Sequence, residues 1–222
     1  MRSLSRHLMI VAALLMLVAL PAVADTTTLY LTVPNSAISS YTGPYVKIDI
    51  NLTSANTATI TFTSLTNGGF TYLMGDGSSV ALNINAASFS VGALTASNSL
   101  GATFTPGPFT FLGANNVSDF GVFNFTIKDF DGWSHSATSI SFTLTNTSGT
   151  WGSAANVLTA NNAGFMAAAH IFVASCTGTE GPEACATGYA GNGSPPQVPE
   201  PASLALMGAG IAGLGAWWRR RK

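Results

Sequence analysis

Charge is what this sequence has least of. Only 8% of its residues are charged, and between Asp25 and Gln197 the only bases are Lys47 and Lys128. Eight acidic residues share that stretch, which leaves it a net charge of −6. Nucleic acid is excluded as a partner, because no cluster of Lys or Arg is there to meet phosphates. Cysteine is almost missing as well: Cys176 and Cys185 are the only two. With no further thiol, a cysteine-built metal centre has no ligands. After residue 24 the only histidines are His135 and His170, and no G-x-S-x-G elbow accompanies the many serines. A nucleophilic triad therefore has no visible frame, and nothing in the chain calls for an enzyme. From Asp25 to Ser175 there is also no stripe of apolar residues at helical spacing, so a helical domain is excluded.

What is present is period-two alternation. In "YVKIDINLT" Val46, Ile48, Ile50 and Leu52 share one face, while Lys47, Asp49, Asn51 and Thr53 share the other. Successive side chains of a strand point to opposite faces, so this is the pattern of a half-buried strand. "TATITFTSL", "VALNINA", "FTFLG", "VFNFTIKDF" and "TSISFTLTN" repeat it, with Thr, Ser and Asn opposite Ile, Leu and Phe. In "FTFLG" the expected inward pair is Phe109 and Phe111. Turn residues separate the runs: "NGG" at Asn67, "GDG" around Asp76, "TPGP" from Thr105 and "SGTWG" at Ser148. Short strands with this punctuation predict an all-β domain, an antiparallel β-sandwich or jelly-roll-like fold over residues 25–176. The alanine-rich run near Asn162 to Ser175 admits a short helix, but Ile171, Phe172 and Val173 favour a final strand.

The two ends read differently. Arg2 and Arg6 precede an apolar run from Leu8 to Leu20, followed by Ala22 and Ala24 at the −3 and −1 positions of a cleavage site. That order predicts a signal peptide over residues 1–24 and export of the rest. In an oxidising compartment Cys176 and Cys185, nine positions apart, are expected to pair. So short a loop contributes about 2–3 kcal/mol on the chain-entropy estimate. Residues 177–197 are rich in Gly, Pro and small polar residues, and read as this disulfide loop followed by a stalk.

Three groups are candidates for chemistry or binding. Asp129 and Asp131, in "IKDFDGWSH", would point the same way on an extended chain, roughly 6.6 Å apart. That separation suits paired carboxylates in an inverting glycosidase, which is the weakest reading. Asp131-Gly132 is better read as a hairpin turn between the flanking strands. Calcium, held by Asp129 and Asp131, stands between these readings, although the further acidic ligand of a calcium loop is missing. Trp133 and Trp151 lie beside turns, where an aromatic either stacks on a sugar ring or plugs the end of the fold. The plug is favoured. Lastly "GAGIAG", Gly208 to Gly213, fits the dinucleotide pattern literally but lacks the βαβ unit which that pattern requires. Ala205, Ala209 and Gly213 fall instead at four-residue spacing, as in packed membrane helices.

Residues 202–218 form an uncharged run of 17 residues, about 26 Å as a helix and at the lower limit for spanning a bilayer. Trp217 and Trp218 suit the interface, and Arg219, Arg220, Arg221 and Lys222 would hold the end of the chain in the cytoplasm. One C-terminal transmembrane helix is therefore expected. With Val198, Pro199, Glu200 and Pro201 ahead of it, residues 198–222 closely resemble the PEP-CTERM sorting domain of Gram-negative bacteria. The resemblance implies recognition at Pro199-Glu200-Pro201 by exosortase, a transient stay in the inner membrane, and delivery to the cell surface or extracellular matrix. It also implies a link to exopolysaccharide and biofilm. It implies nothing about the domain before it. Two functions are thus open: a non-enzymatic surface or matrix protein without a cofactor, or a carbohydrate-binding adhesin using Trp133 or Trp151, assisted by calcium.

Overall fold

The structure, a computed structural model, describes residues 25–101, 103–129, 132–175 and 184–193. Three long strands open the fold: β1 (Asp25–Pro34), β2 (Val46–Ser54) and β3 (Thr57–Ser64). Then come β4 (Thr66–Asn67), β5 (Phe70–Met74), β6 (Val80–Leu82), β7 (Phe89–Val91), β8 (Thr95–Ser97) and β9 (Thr110–Phe111). A small hairpin of β10 (Asn115–Asn116) and β11 (Val122–Phe123) stands apart as its own two-stranded sheet. β12 (Phe125–Lys128), β13 (Ser139–Asn146), β14 (Ala167–Ser175) and β15 (Ala184–Asn192) complete the fold. Among the described residues there is no α-helix, only single 3₁₀ turns.

The all-β antiparallel class is what the chain adopts. Thirteen strands are joined in one sheet, whose main path runs β7-β13-β3-β2-β1-β15-β14-β6-β12-β9. β2 and β3 show how directly the alternation sets register. Ser54 pairs with Thr57, so Ala55 and Asn56 make the turn, and Ile48 and Ile50 then fall opposite Phe62 and Ile60. All four are buried, because a one-residue slip would turn the whole set to solvent.

The sheet curls over its own core. β13 and β12 lie near opposite ends of the strand path, yet the rings of Phe142 and Phe125 stand 5.4 Å apart. Phe89 of β7 meets Phe125 edge-on at 6.0 Å. One hydrophobic cluster gathers Ile60, Phe62 and Leu144 from one half with Val80, Leu82 and Ile127 from the other. Each such side chain stabilises the fold by about 1.5–3 kcal/mol on burial, so closure of the curl is driven by the phenylalanines at its seam. Phe111 departs from the expected inward pair. It is 48% exposed on the edge strand β9, while Phe109 packs against the core.

Two expectations are corrected. The Asp131-Gly132 segment is no hairpin, because the strands on either side are not neighbours. β12 pairs with β6 and β9, whereas β13 pairs with β3, β7 and β8. β12 and β13 belong to different halves of the sheet, and a 3₁₀ turn at Trp133–His135 precedes β13. The stalk is corrected too. Ala184–Asn192 is a strand set between β1 and β14 in the middle of the sheet, so the folded domain reaches past residue 176. Its glycines are there for close approach rather than for flexibility. A Cβ on Gly188 would come within 2.6 Å of Asn35 Oδ1, and one on Gly191 within 2.7 Å of Phe120 Cε1. No helix among the described residues is long and apolar enough to cross a membrane. The expected span 202–218 and signal peptide 1–24 lie outside the described residues.

Candidate functional site

Asp129 sits at the end of β12 with 1% of its surface exposed. Its Oδ1 accepts the backbone N–H of Gly107 at 2.8 Å, and its own N–H donates to Ser79 Oγ at 2.9 Å. The Ser79 hydroxyl donates in turn to the Asp76 carbonyl at 3.0 Å. Asp129 therefore holds the Gly107 loop through its carboxylate and the residue 76–79 loop through its backbone N–H, a structural use for a buried polar group that must be hydrogen-bonded. His135, in the 3₁₀ turn beyond, donates from Nδ1 to the carbonyls of Gly107 at 2.7 Å and Thr105 at 2.9 Å. Asp131 lies outside the described residues. Among the described residues, no three of His, Cys, Asp and Glu gather as metal ligands would.

The two tryptophans occupy plug positions. Trp151 is 3% exposed in the main core, and its indole N–H donates to the Asn85 carbonyl at 2.8 Å. Its ring faces are covered, so it has no surface to offer a sugar. Trp133 is half-buried, held edge-on against Phe104 at 5.4 Å and Phe172 at 5.6 Å. Glycan stacking through this pair thus loses Trp151 outright, because the interior had more to gain from that ring than solvent did. Cys185 lies exposed at the start of β15, and Cys176 lies outside the described residues.

A buried polar cluster that alternation could not reveal surrounds His170. The residue is on β14, 7% exposed, where a period-two reading expects an apolar side chain. Its Nδ1 lies 2.6 Å from the Gly75 carbonyl, and its Nε2 lies 2.8 Å from the Thr187 hydroxyl. A carbonyl can only accept, so Nδ1 carries the proton and Nε2 accepts from Thr187. Tyr189 and Phe172 meet the ring edge-on at 4.7 and 5.3 Å. Burial lowers the imidazole pKa below its ordinary value, against smaller upward pulls from the Gly75 carbonyl and the Asp76 charge. Burial also raises the Tyr189 phenol above its ordinary value. The neutral histidine thereby joins β14 to β15 and to the loop after β5. The one signal in the sequence was a histidine inside an otherwise apolar run.

β15 is also the last described element before the tail. Asn192 is buried, and its Oδ1 accepts the N–H groups of Met166 and Ala167 at 2.8 and 2.9 Å. The final strand is thus pinned to the body of the sheet at its last residue. The family model described as the PEP-CTERM protein-sorting motif matches residues 197–221. The chain carries a PEP-CTERM sorting tail. This motif begins five residues beyond Asn192, so little chain separates the curled sheet from the sorting signal. Pro199, Glu200, Pro201 and the basic run Arg219 to Lys222 lie within or next to the match and outside the described residues. The PEP-CTERM motif implies export and processing by exosortase at the membrane. Searches of curated proteins and of solved structures found no match to this chain.

Proposed function

We propose that this is a non-enzymatic protein of the cell surface or extracellular matrix, sorted by exosortase through its tail. The observation that carries the reading is the PEP-CTERM match at residues 197–221, directly behind a curled all-β sheet. In this reading residues 1–24 direct export and are removed. Residues 202–218 then halt the chain in the inner membrane, with Arg219 to Lys222 inside. Pro199-Glu200-Pro201 presents the chain for cleavage, which releases a sandwich- or jelly-roll-like ectodomain toward exopolysaccharide and biofilm. No cofactor is assigned.

Mass spectrometry of the protein from inner-membrane, surface and medium fractions tests this. Peptides from 202–218 are expected in the membrane pool alone. Their presence in the surface pool would make the tail a permanent anchor and refute sorting by cleavage.

A second reading, a carbohydrate-binding adhesin, is favoured by one observation: the outer face of the sheet is hydroxyl-rich and nearly free of charge. It no longer leans on Trp151. Calcium assistance at Asp129 and Asp131 would have to compete with the bond that the buried Asp129 carboxylate already accepts from the Gly107 N–H.

A further inference from the structure

The side chains that alternate with the core on β1, β2, β3, β13 and β8 form one continuous outer face. Antiparallel register lines them up in rows across the strands. Thr59 faces Thr143, Thr61 faces Ser141, and Thr63 faces Ser139. The rows continue over β2 to Asn51, Asp49 and Lys47, and over β1 to Thr26, Thr28 and Tyr30. On the other side β8 adds Thr95 and Ser97. Across β3, β13 and β8 hydroxyls thus recur about every 4.8 Å, and every 6.6–6.8 Å along each strand, while β2 sets Asn51, Asp49 and Lys47 into the same rows. Several are held in place: Thr61 and Ser141 share a hydrogen bond of 3.0 Å, and Thr28 donates to Asp49 Oδ1 at 2.7 Å.

The only charges in these rows are Lys47 and Asp49, and they neutralise each other in an ion pair of 2.7 Å. An anionic polymer finds no spare cation on this face. A protein partner needs a desolvated apolar centre, and the one large exposed ring in these rows, Tyr30 at 46%, stands on the β1 side. A crystalline water surface needs a flat plane, which a twisted sheet curled over its core does not supply. A flexible neutral polymer of hydroxyl groups meets all three conditions. Each Thr or Ser both donates and accepts, and Tyr30 offers an apolar ring face where the rows begin.

We infer that this face binds a neutral polysaccharide laid across the strands, with Tyr30 stacking on a sugar ring. The inference rests on the second reading above and locates its site. A surface hydrogen bond contributes only about 0.5–1.5 kcal/mol net, so affinity accumulates along the polymer rather than in one pocket.

The test uses the full chain in detergent with hydroxyethyl cellulose and galactomannan as neutral probes, cello-hexaose as a short probe, and alginate as an anionic one. Binding to at least one neutral polymer is expected, at least tenfold tighter than to cello-hexaose or alginate, and little changed by added salt. The triple variant Thr59→Val, Thr63→Val, Thr143→Val removes hydroxyls while keeping β-branched shape. It is expected to lose at least tenfold in affinity with its melting temperature kept, and Tyr30→Ala is expected to weaken binding likewise. Neutral-polymer binding that survives the triple variant would place the site elsewhere and overturn this inference while leaving the adhesin reading intact. Binding to none of the glycans would overturn both. Preference for alginate, or inhibition of ice recrystallisation without glycan binding, would assign the face to a different ligand and overturn it too.

Discussion

Acidifying the protein from pH 7.5 to 5.5 should weaken the sheet through His170. The imidazole is buried and its pKa lies below the ordinary value of 6.5 that the unfolded chain restores. The unfolded state therefore takes up a proton that the folded state refuses. Stability from this group is complete above 6.5, is lost as pH falls from 6.5 toward the folded pKa, and is level below that. One proton bounds the slope at about 1.4 kcal/mol per pH unit. For a domain of this size that is roughly 3–6 °C in melting temperature at the most over the last unit. The structure explains why the folded state resists. Nε2 accepts from Thr187, and Tyr189 and Phe172 close around the ring, so a cation there is cut off from water. The assay is thermal unfolding of the purified chain at pH 7.5, 6.5 and 5.5, for wild type and His170→Gln. The variant loses overall stability but cannot titrate at this position, and every other group is common to both proteins. Equal pH slopes for wild type and variant would refute the reasoning.

The remaining expectations concern packing and ligands. Trp151→Ala should cost about 3–5 kcal/mol in urea unfolding, and a loss under 1 kcal/mol would mean that the ring is no plug. Gly191→Val should destabilise by about 1–3 kcal/mol, because its side chain collides with Phe120 and Phe165. A neutral result would return residues 184–192 to the status of a stalk. Asp129→Ala, which strands the Gly107 N–H, should cost about 1–3 kcal/mol, and Asp129→Asn should cost less because Oδ1 can still accept. Excess Ca²⁺ or EDTA should leave the wild-type melt unmoved, and a calcium-dependent rise would restore a metal role for Asp129.

How much was legible depended on side-chain size. In β2, β3 and β13 alternate residues are Ile, Val, Leu or Phe against Thr, Ser or Asn, so strand and inner face are both readable. β15 is built mostly of Ala, Gly, Thr and Asn around Cys185 and Tyr189, and its contrast in hydropathy is too small to read. Its glycines looked like linker residues, and only the neighbours Asn35 and Phe120 reveal why a side chain cannot stand there. Asp131-Gly132 failed for another reason. Local turn chemistry permits a hairpin, but β12 found better partners in β6 and β9. His170 was hidden because its hydrogen-bond partners come from residues 75 and 187, far away along the chain.

The sequence by itself determined the all-β class, the inward faces of the long strands, the sparsely charged polar surface and the sorting tail. Each depends on the order of neighbouring residues, through strand periodicity, composition or a contiguous motif. Tertiary structure alone decided which strands pair, that β15 lies mid-sheet, that Trp151 is sealed, and that hydroxyls from β1, β3, β8 and β13 share one face. Those outcomes depend on competition among distant segments for the same core and the same backbone hydrogen bonds, and no local pattern records who wins.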